Sequence, residues 1–301
     1  MSKKVIVLSG GFSAEREVSL VSGKGVAEAL IAEGYQVILY DLKNVRDFVL
    51  TLEKEKPDVV FNALHGNWGE DGEIQALLDL WQIPYTHSGV RASSIGMDKG
   101  LTKSVCATCG IKVAQGWRMF GSEFLDKAES LPMPYVVKPV SDGSSVGVYI
   151  VESVDDLKKI NVTEHSELLI ERYIAGQELT CAVIDDKAYV VTELRPKTDF
   201  YDYHNKYTNG ATEHILPAEI PDEIAEICKN YALCIHKALG CKDISRSDFR
   251  YNPQDGVVFL EINTHPGMTP LSLVPEQAKY VGIDYEKLCA LLVEKADYRR
   301  M

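Results

Sequence analysis

The sequence predicts an α/β fold in which an N-terminal parallel sheet is followed by two α+β units. The first observation is the alternation of strand-like and helix-like segments over the first third of the chain, in the order βαβαβ. The second is a change near Ile95 to short strands separated by loops. The third is length, since 301 residues, 46% apolar and 25% charged, exceed what one hydrophobic core supports. We expect units at 1–95, 96–174 and 175–301.

Composition excludes several classes of partner. The net charge of −12 argues against nucleic acid, whose binding needs a basic surface. No apolar run approaches the roughly 20 residues of a membrane span, and the apolar segment at Val5 begins too early for a signal peptide. Seven cysteines, an odd number, indicate reduced thiols and a cytoplasmic protein. We therefore expect neither nucleic acid nor membrane as a partner, and any anionic ligand must meet local positive charge.

The first third supplies two candidate ligand-binding turns. Its predicted elements are strands at 5–8, 36–40 and 58–64 and helices at 14–32, 45–54 and 74–81. Ligands bind at the carboxyl ends of parallel strands, and the segments 10–15 and 65–72 leave such ends. The first turn lacks the G-x-G-x-x-G spacing of dinucleotide sites, but its N–H groups could bind a carboxylate, with Ser13 as N-cap. Glu15 has two open interpretations, a complement to the helix dipole or a functional carboxylate.

Beyond Ile95 the pattern predicts two α+β units and a long loop. The predicted elements are helices at 99–109, 154–160, 223–239, 272–280 and 285–295 and strands at 135–139, 147–151, 168–171, 178–184 and 187–193. Residues 173–176 form the predicted crossing between the two units. The segment 196–212 shows neither the helical periodicity nor the alternation of a strand, and loops of that length are usually functional or disordered. Its four aromatic residues predict a loop that closes over a ligand.

A lysine and a Gly/Ser-rich loop follow a predicted buried strand. Lys138 lies near the end of that strand, and residues 143–147 read Gly-Ser-Ser-Val-Gly. Backbone N–H groups and hydroxyls, including that of Ser144, can surround phosphate oxygens while the lysine supplies charge. The G-x-x-x-x-G-K-[ST] motif is absent, so this is not a Walker A loop. A plain hairpin turn with an exposed lysine is the alternative.

A carboxylate-bearing hairpin predicts a metal site. Alternation along a strand places Arg246 and Asp248 on one face, and Glu261 and Asn263 on one face of the next strand. A turn centred between residues 254 and 255 sets Asp248 opposite Glu261 and Arg246 opposite Asn263. Two carboxylates and an amide oxygen suit Mg²⁺ or Mn²⁺. The alternative is an exposed hairpin face that carries scattered charge.

Taken together, these motifs resemble the D-alanine–D-alanine ligase family of the ATP-grasp superfamily, nearly from end to end. The motifs that carry the resemblance are Gly-Gly-Phe-Ser-Ala-Glu-Arg-Glu-Val-Ser-Leu at 10–20, Ala-Leu-His-Gly at 63–66, Gly-Glu-Asp-Gly at 69–72, Gly-Met-Asp-Lys at 96–99, Val-Lys-Pro at 137–139, the loop 143–147, Phe-Tyr-Asp-Tyr at 200–203, Lys-Tyr at 206–207, Arg-Ser-Asp at 246–248, Glu-Ile-Asn-Thr at 261–264, Pro-Gly-Met-Thr-Pro at 266–270 and Ser-Leu-Val-Pro at 272–275. The implied architecture is an N-terminal βαβ domain followed by two α+β domains that clamp ATP.

The resemblance implies an ATP site with metal ions. For the phosphates it implies Lys99 and Lys138, for adenine the hinge residues Glu171, Arg172, Tyr173 and Ile174 through backbone groups, and for ribose Glu178. Ser144 and Lys206 are also implied nucleotide-binding residues. Two Mg²⁺ (or Mn²⁺) ions would be held by Asp248, Glu261 and Asn263, with Asn263 also facing the nucleotide.

The resemblance also implies two D-alanine subsites. Glu15 would receive the ammonium group of the first D-alanine, which favours the functional interpretation of that residue. The residues implied around the substrates are Glu15, Val18, Ser19, His65, Arg246, Gly267, Ser272 and Leu273, and Arg246 with the Gly267 N–H would form the oxyanion site. Tyr207 in the 196–212 lid would link to Ser144 and through it to Glu15.

The implied activity is ligation of two D-alanines through a D-alanyl phosphate, for peptidoglycan precursor synthesis. An acyl phosphate hydrolyses in water, so the site must be dry while it exists, and the loop 196–212 is the predicted lid. Two alternatives stay open, a ligase that uses D-lactate or D-serine as second substrate and a non-catalytic nucleotide-binding module. The family resemblance further implies a homodimer.

Overall fold

The computed structural model describes residues 2–141, 143, 147–196 and 212–299. Three predicted site residues, Ser144, Lys206 and Tyr207, lie outside the described residues, as does most of the predicted lid.

The N-terminal unit is a three-stranded parallel sheet, as predicted. Its elements are β1 (Lys4–Gly10), α1 (Arg16–Ala32), β2 (Gln36–Leu42), α2 (Val45–Glu55), β3 (Val59–Asn62) and α3 (Glu73–Trp81). The strand order is β2-β1-β3, and β1 is buried from Val5 onward because both faces of the sheet are covered. Val5 and Val7 pack in one core and Ile6 and Leu8 in another, which follows from the alternation of side chains along a strand.

The central unit is an antiparallel sheet with the order β4-β7-β5-β6. Its elements are α4 (Val90–Met97), α5 (Lys99–Thr108), β4 (Gly116–Phe120), α6 (Gly121–Lys127), β5 (Tyr135–Pro139), β6 (Tyr149–Val151) and β7 (Glu167–Arg172). The predicted helix at 154–160 is instead a 3-10 helix at Val154–Lys159, which begins with a capping box formed by Ser153 and Asp156.

The C-terminal unit is a five-stranded antiparallel sheet with the order β10-β9-β8-β11-β12. Its elements are β8 (Gln177–Ile184), β9 (Lys187–Pro196), β10 (Thr212–Ile215), α7 (Asp222–Leu239), β11 (Ile244–Asn252), β12 (Gly256–Asn263), α8 (Leu273–Tyr280) and α9 (Tyr285–Lys295). Thr212 pairs with Pro196, so the two ends of the predicted lid belong to neighbouring strands. The crossing into β8 passes Gly176, where a φ of +115° favours glycine.

Packing joins the units. One core combines residues of β1, α1 and β3 with residues of β8, α8 and α9, and a second core sets Ala92 and Cys106 against α7 and β12. The predicted limits at 95/96 and 174/175 remain predictions. None of the helices in the described ranges is both long and apolar enough to span a membrane.

Candidate active site

A cleft of about 1270 Å³ lies between the N-terminal and C-terminal units. It is lined by eleven of the predicted site residues, namely Glu15, Val18, His65, Lys99, Arg246, Asp248, Glu261, Asn263, Gly267, Ser272 and Leu273. These residues are separated by up to 258 positions in the sequence and come from all three units. The cleft therefore brings together the substrate and metal residues that the motifs predicted separately.

The β11–β12 hairpin has the predicted pairing at the metal residues. Asp248 lies opposite Glu261, and Arg246 lies opposite Asn263. Nearer the turn the register differs from the prediction, because Asn252 pairs with Gly256 and the turn is centred on residue 254. A register shift after Asp248 leaves one additional residue in β12 and restores the predicted pairing.

Asp248 is held on two sides. Arg246 donates from Nε to Asp248 Oδ1 and from Nη2 to Asp248 Oδ2, each at 3.0 Å. Thr180 Oγ1, on the neighbouring strand β8, donates to Asp248 Oδ1 at 2.6 Å. A bidentate pair of this kind fixes the plane of the guanidinium as well as the orientation of the carboxylate. Both groups are therefore preorganised toward the cleft.

The donor set fits Mg²⁺ or Mn²⁺. Asp248 and Glu261 supply carboxylate oxygens, and Asn263 supplies an amide oxygen that accepts a hydrogen bond from the His265 N–H at 2.8 Å. The described part of the chain holds no metal-binding group of three or more His, Cys, Asp or Glu residues. A site with two carboxylates and an amide suits a hard cation that also takes phosphate oxygens, rather than a closed protein cage for zinc.

Three lysines, two of them predicted to bind phosphate, form ion pairs with carboxylates. Lys99 begins α5, and its Nζ lies 3.7 Å from Glu261 Oε2. Lys138, on β5, forms an ion pair with the buried Glu171 on β7. Lys103, one turn after Lys99 on α5, lies with its Nζ 2.6 Å from the other carboxylate oxygen of Glu171. Sequence reasoning missed Lys103, although its i, i+4 spacing from Lys99 was an available signal.

The charges of this cluster perturb one another. Burial lowers the pKa of Lys103 to about 8, and the nearby charge of Lys138 adds to the effect. Burial acts to raise the pKa of Glu171, but Lys138 and Lys103 together outweigh it and hold that pKa below its ordinary value. Glu171 is thus an anion between two cations, whereas the sequence assigned it only backbone contacts.

Glu15 lies where the first turn meets the phosphate loop. A Cβ added at Gly66 would lie 2.9 Å from Glu15 Oε2, and one added at Gly143 would lie 3.6 Å from it. The helix begins at Arg16 with Glu15 as its N-cap residue, so Ser13 is not the N-cap that we predicted. The Ser13 hydroxyl donates to the His65 carbonyl at 2.6 Å instead, which ties the first turn to the second.

Ser19 and His65 differ in their access to the cleft. Ser19 is fully buried; its hydroxyl accepts from the Gly10 N–H at 2.8 Å and donates to the Ala63 carbonyl at 2.7 Å. Ser19 therefore lies behind the cleft wall. His65 lines the cleft and contacts Ser22 Oγ through Nε2 at 2.9 Å.

Buried histidines stand behind His65. The rings of His87 and His265 have centroids 4.0 Å apart, and those of His65 and His265 6.1 Å. Burial lowers the pKa of His265 well below its ordinary value, with His87 and His65 contributing. His265 is thus a neutral ring packed behind His65.

Two backbone N–H groups of the predicted hinge form hydrogen bonds within the protein. The Arg172 N–H donates to the Gln115 carbonyl at 2.9 Å, and the Tyr173 N–H donates to the Pro134 carbonyl at 3.1 Å. The Arg172 guanidinium pairs with Asp255 in the hairpin turn at 2.6 Å, so its side chain is directed to the C-terminal unit. The four predicted hinge residues do not line the cleft described above, and neither do Lys138 and Glu178.

Glu178 pairs with an arginine outside the cleft, whereas the segment before α8 lines the cleft. Glu178 Oε2 lies 2.8 Å from Arg250 Nη2. Ser272 is the N-cap residue of α8, and its Oγ accepts from the Thr269 N–H at 3.1 Å. A Cβ added at Gly267 would lie 3.1 Å from Ser272 Oγ, so Gly267 and Ser272 are packed together at the cleft.

Comparisons with known proteins show which family the chain is similar to. Residues 110–294 match the family model for the D-ala D-ala ligase C-terminus, and residues 51–88 match that for the N-terminus. A D-alanine–D-alanine ligase from Novosphingobium aromaticivorans is 53% identical over 97% of this chain and 96% of its own length. One from Acidiphilium cryptum is 48% identical over 99% of both chains.

Solved structures show the same similarity. The D-alanine–D-alanine ligase from Bacillus anthracis complexed with ATP has a TM-score of 0.84 at 32% identity, covering 98% of this chain and 97% of that one. The VanG D-Ala:D-Ser ligase from Enterococcus faecalis has a TM-score of 0.79 at 28% identity, covering 98% and 99%.

Proposed function

The chain belongs to the D-alanine–D-alanine ligase family, and we propose that its cleft joins two D-alanines through a D-alanyl phosphate intermediate. The predicted ATP-grasp architecture is confirmed, and the chain is an ATP-dependent ligase of peptidoglycan synthesis. The observation that carries the proposal is the convergence of the predicted metal, oxyanion and substrate residues on one cleft.

Phosphoryl transfer needs positive charge around the phosphates. We assign Lys99 and Lys138 to phosphate oxygens, and Asp248, Glu261 and Asn263 to two Mg²⁺ (or Mn²⁺) ions. The ions, when bound, supply charge neutralisation on the transferring phosphoryl group. Lys99 already lies against Glu261, so the lysine and the metal residues face the same space.

The first D-alanine is activated next to Glu15. The Glu15 carboxylate binds the ammonium group of this D-alanine. The carboxylate of the same D-alanine attacks the terminal phosphorus of ATP, and ADP is the leaving group. Gly143 lies against Glu15, which supports a phosphate loop beside the first substrate. Proximity of this kind replaces a bimolecular encounter by a positioned reaction.

The second D-alanine attacks the activated carbonyl with its neutral amine. Collapse of the tetrahedral intermediate breaks the bond to phosphate, which leaves, and the amine nitrogen loses a proton to solvent as it becomes the peptide nitrogen. Arg246 and the Gly267 N–H stabilise the oxyanion. Arg246 is suited to this because the pair with Asp248 fixes its guanidinium before substrate arrives. Ser272 and Leu273, at the start of α8, hold the second D-alanine.

Turnover with defined substrates tests the proposal. Purified protein is supplied with ATP and Mg²⁺, and ADP release is measured with D-alanine, with L-alanine as control and without amino acid. We expect release only with D-alanine and D-alanyl-D-alanine as the product in mass spectra. No D-alanine-stimulated release would instead favour a nucleotide-binding module, and a mixed product when D-serine or D-lactate competes would favour a different second substrate.

Assembly and location form a separate part of the proposal. We infer a homodimer from the family resemblance and a cytoplasmic location from the unpaired cysteines, all seven of which are free thiols. Light scattering after size-exclusion chromatography measures the mass, and a monomer at micromolar concentration would contradict the dimer.

A further inference from the structure

Three buried charged residues of the central unit form one cluster. Glu171 is 3% exposed, Lys103 7% and Lys138 8%, and they come from β7, α5 and β5. Lys103 Nζ lies 2.6 Å from Glu171 Oε1, whereas Lys138 contacts Glu171 Oε2. Each lysine therefore uses a different oxygen of one carboxylate. Lys138 can leave this cluster without breaking the contact of Lys103.

The cluster itself holds two cations and one anion, and the carboxylate of Glu261 also acts on Lys103. A surplus of buried charge is unfavourable. An anion that approaches Lys138 would relieve the surplus. If Glu171 had no other partner, however, recruitment of Lys138 by that anion would leave a buried carboxylate unpaired.

We propose that Lys103 is a positioning residue for ATP, which keeps Glu171 paired while Lys138 turns to the phosphates. The inference rests on the proposed function only in taking the approaching anion to be ATP phosphate. Lys103 does not touch the nucleotide in this role. It lowers the cost of releasing Lys138, because Glu171 keeps a cation on its other oxygen.

The position of Lys103 supports this role. It lies one helical turn after Lys99 on α5, so the two lysines share a helix face. Lys103 Nζ also lies 3.5 Å from the Phe259 carbonyl of β12. The helix thus connects the metal-bearing hairpin to the buried carboxylate. Lys138 adds to the lowering of the Lys103 pKa, so departure of Lys138 would strengthen the remaining pair.

The test is a double-mutant cycle on ATP binding. Calorimetry with ATP and Mg²⁺ in the absence of D-alanine gives Kd for wild type, Lys103→Met, Glu171→Gln and the double variant. We expect Lys103→Met to weaken ATP binding about tenfold, equivalent to about 1.4 kcal/mol. In the Glu171→Gln background the same change should have less than about a threefold effect, since a neutral side chain needs no cation.

Further variants separate positioning from general damage. Lys103→Arg keeps the charge and should restore Kd to near the wild-type value. Lys103→Gln, which lacks the charge but keeps a donor, should lose affinity as Lys103→Met does and serves if Lys103→Met does not fold. Lys24→Met, on the exposed surface of α1, is the matched control.

Two outcomes would overturn the proposal. One is an unchanged Kd for ATP in Lys103→Met and Lys103→Gln. The other is an equal loss with and without Glu171, which would mean that Lys103 acts on the fold alone. Because binding is measured without D-alanine, failure of the ligase reaction would not be mistaken for either outcome.

Discussion

Replacing Gln277 by leucine should destabilise the C-terminal sheet without removing a predicted substrate residue. Gln277 lies on α8 and is 2% exposed. Its Oε1 accepts from the Ala182 N–H at 2.9 Å, and its Nε2 donates to Thr192 Oγ1 at 2.9 Å and to the Thr180 carbonyl at 3.2 Å. Ala182 has no partner in β9, because the register between β8 and β9 shifts at this residue. Gln277 therefore replaces a missing ladder contact.

The size of the effect follows from these three hydrogen bonds. Leucine has a similar volume but no polar atom, so the buried Ala182 N–H would be unpaired at about 1–3 kcal/mol. Loss of the two donor contacts adds roughly 0.5–1.5 kcal/mol each. Allowing for the apolar gain of leucine, we expect a loss of roughly 2–4 kcal/mol. At about 2–4 °C per kcal/mol for a large domain, Tm should fall by roughly 4–16 °C.

Thermal unfolding followed by circular dichroism measures this change. The matched control is Tyr280→Gln, since Tyr280 lies on the same helix and is 54% exposed. We expect the control to unfold at the wild-type temperature. If the Gln277→Leu variant unfolds within about 1 °C of wild type, the hydrogen bond from the Ala182 N–H to Gln277 does not stabilise the bulge as we argue.

Three further predictions concern the site and the pH response. Glu261→Gln should lower the turnover rate at least about a hundredfold, because mutation of residues that only support metal ligands already lowers activity roughly 10–100-fold. ADP release near the wild-type rate at ordinary Mg²⁺ would contradict the metal assignment. Lys138→Ala should raise the Kd for ATP about tenfold or more, since it removes a charged hydrogen bond, and an unchanged Kd would mean that Lys138 serves only its buried ion pair with Glu171. Burial lowers the pKa of His236 to about 4. The unfolded chain has a histidine pKa of about 6.5, so the contribution of neutral His236 to the free energy of unfolding is fully present above that pH. It is lost as pH falls toward 4, by up to about 3 kcal/mol. Urea midpoints from pH 7 to 4 check this, and an equal fall in wild type and His236→Gln would exclude His236.

The hairpin shows how far local pattern carries a prediction. The facing pairs Asp248–Glu261 and Arg246–Asn263 were predicted, and they are confirmed. The turn itself was placed half a residue away from its true centre. Two differences cancel, because the register shift after Asp248 compensates for the turn. Alternation along a strand is a local property, whereas a bulge depends on how the strand meets its neighbours.

Features set by tertiary contacts were not predictable. The strand β4 is mostly exposed at the edge of its sheet, and its residues lack the alternation that marks a half-buried strand. The pairing of Lys103 with Glu171 joins a helix and a strand that no local spacing relates. Motif resemblance assigned Glu171 to adenine through its backbone and thus left its side chain unexplained. Contacts of this kind follow only from the assembled core.

The packing of α9 has a consequence for the order of events during synthesis. Leu288 and Leu292 of α9 lie in the same core as Val5 of β1 and Phe61 of β3. A ribosome adds roughly 5–20 residues per second, so β1 waits on the order of 15–60 s before α9 exists. During that interval α1 covers this face of the first sheet without α9. The first strands made are therefore among the last to be fully packed, and until then part of their apolar surface remains exposed.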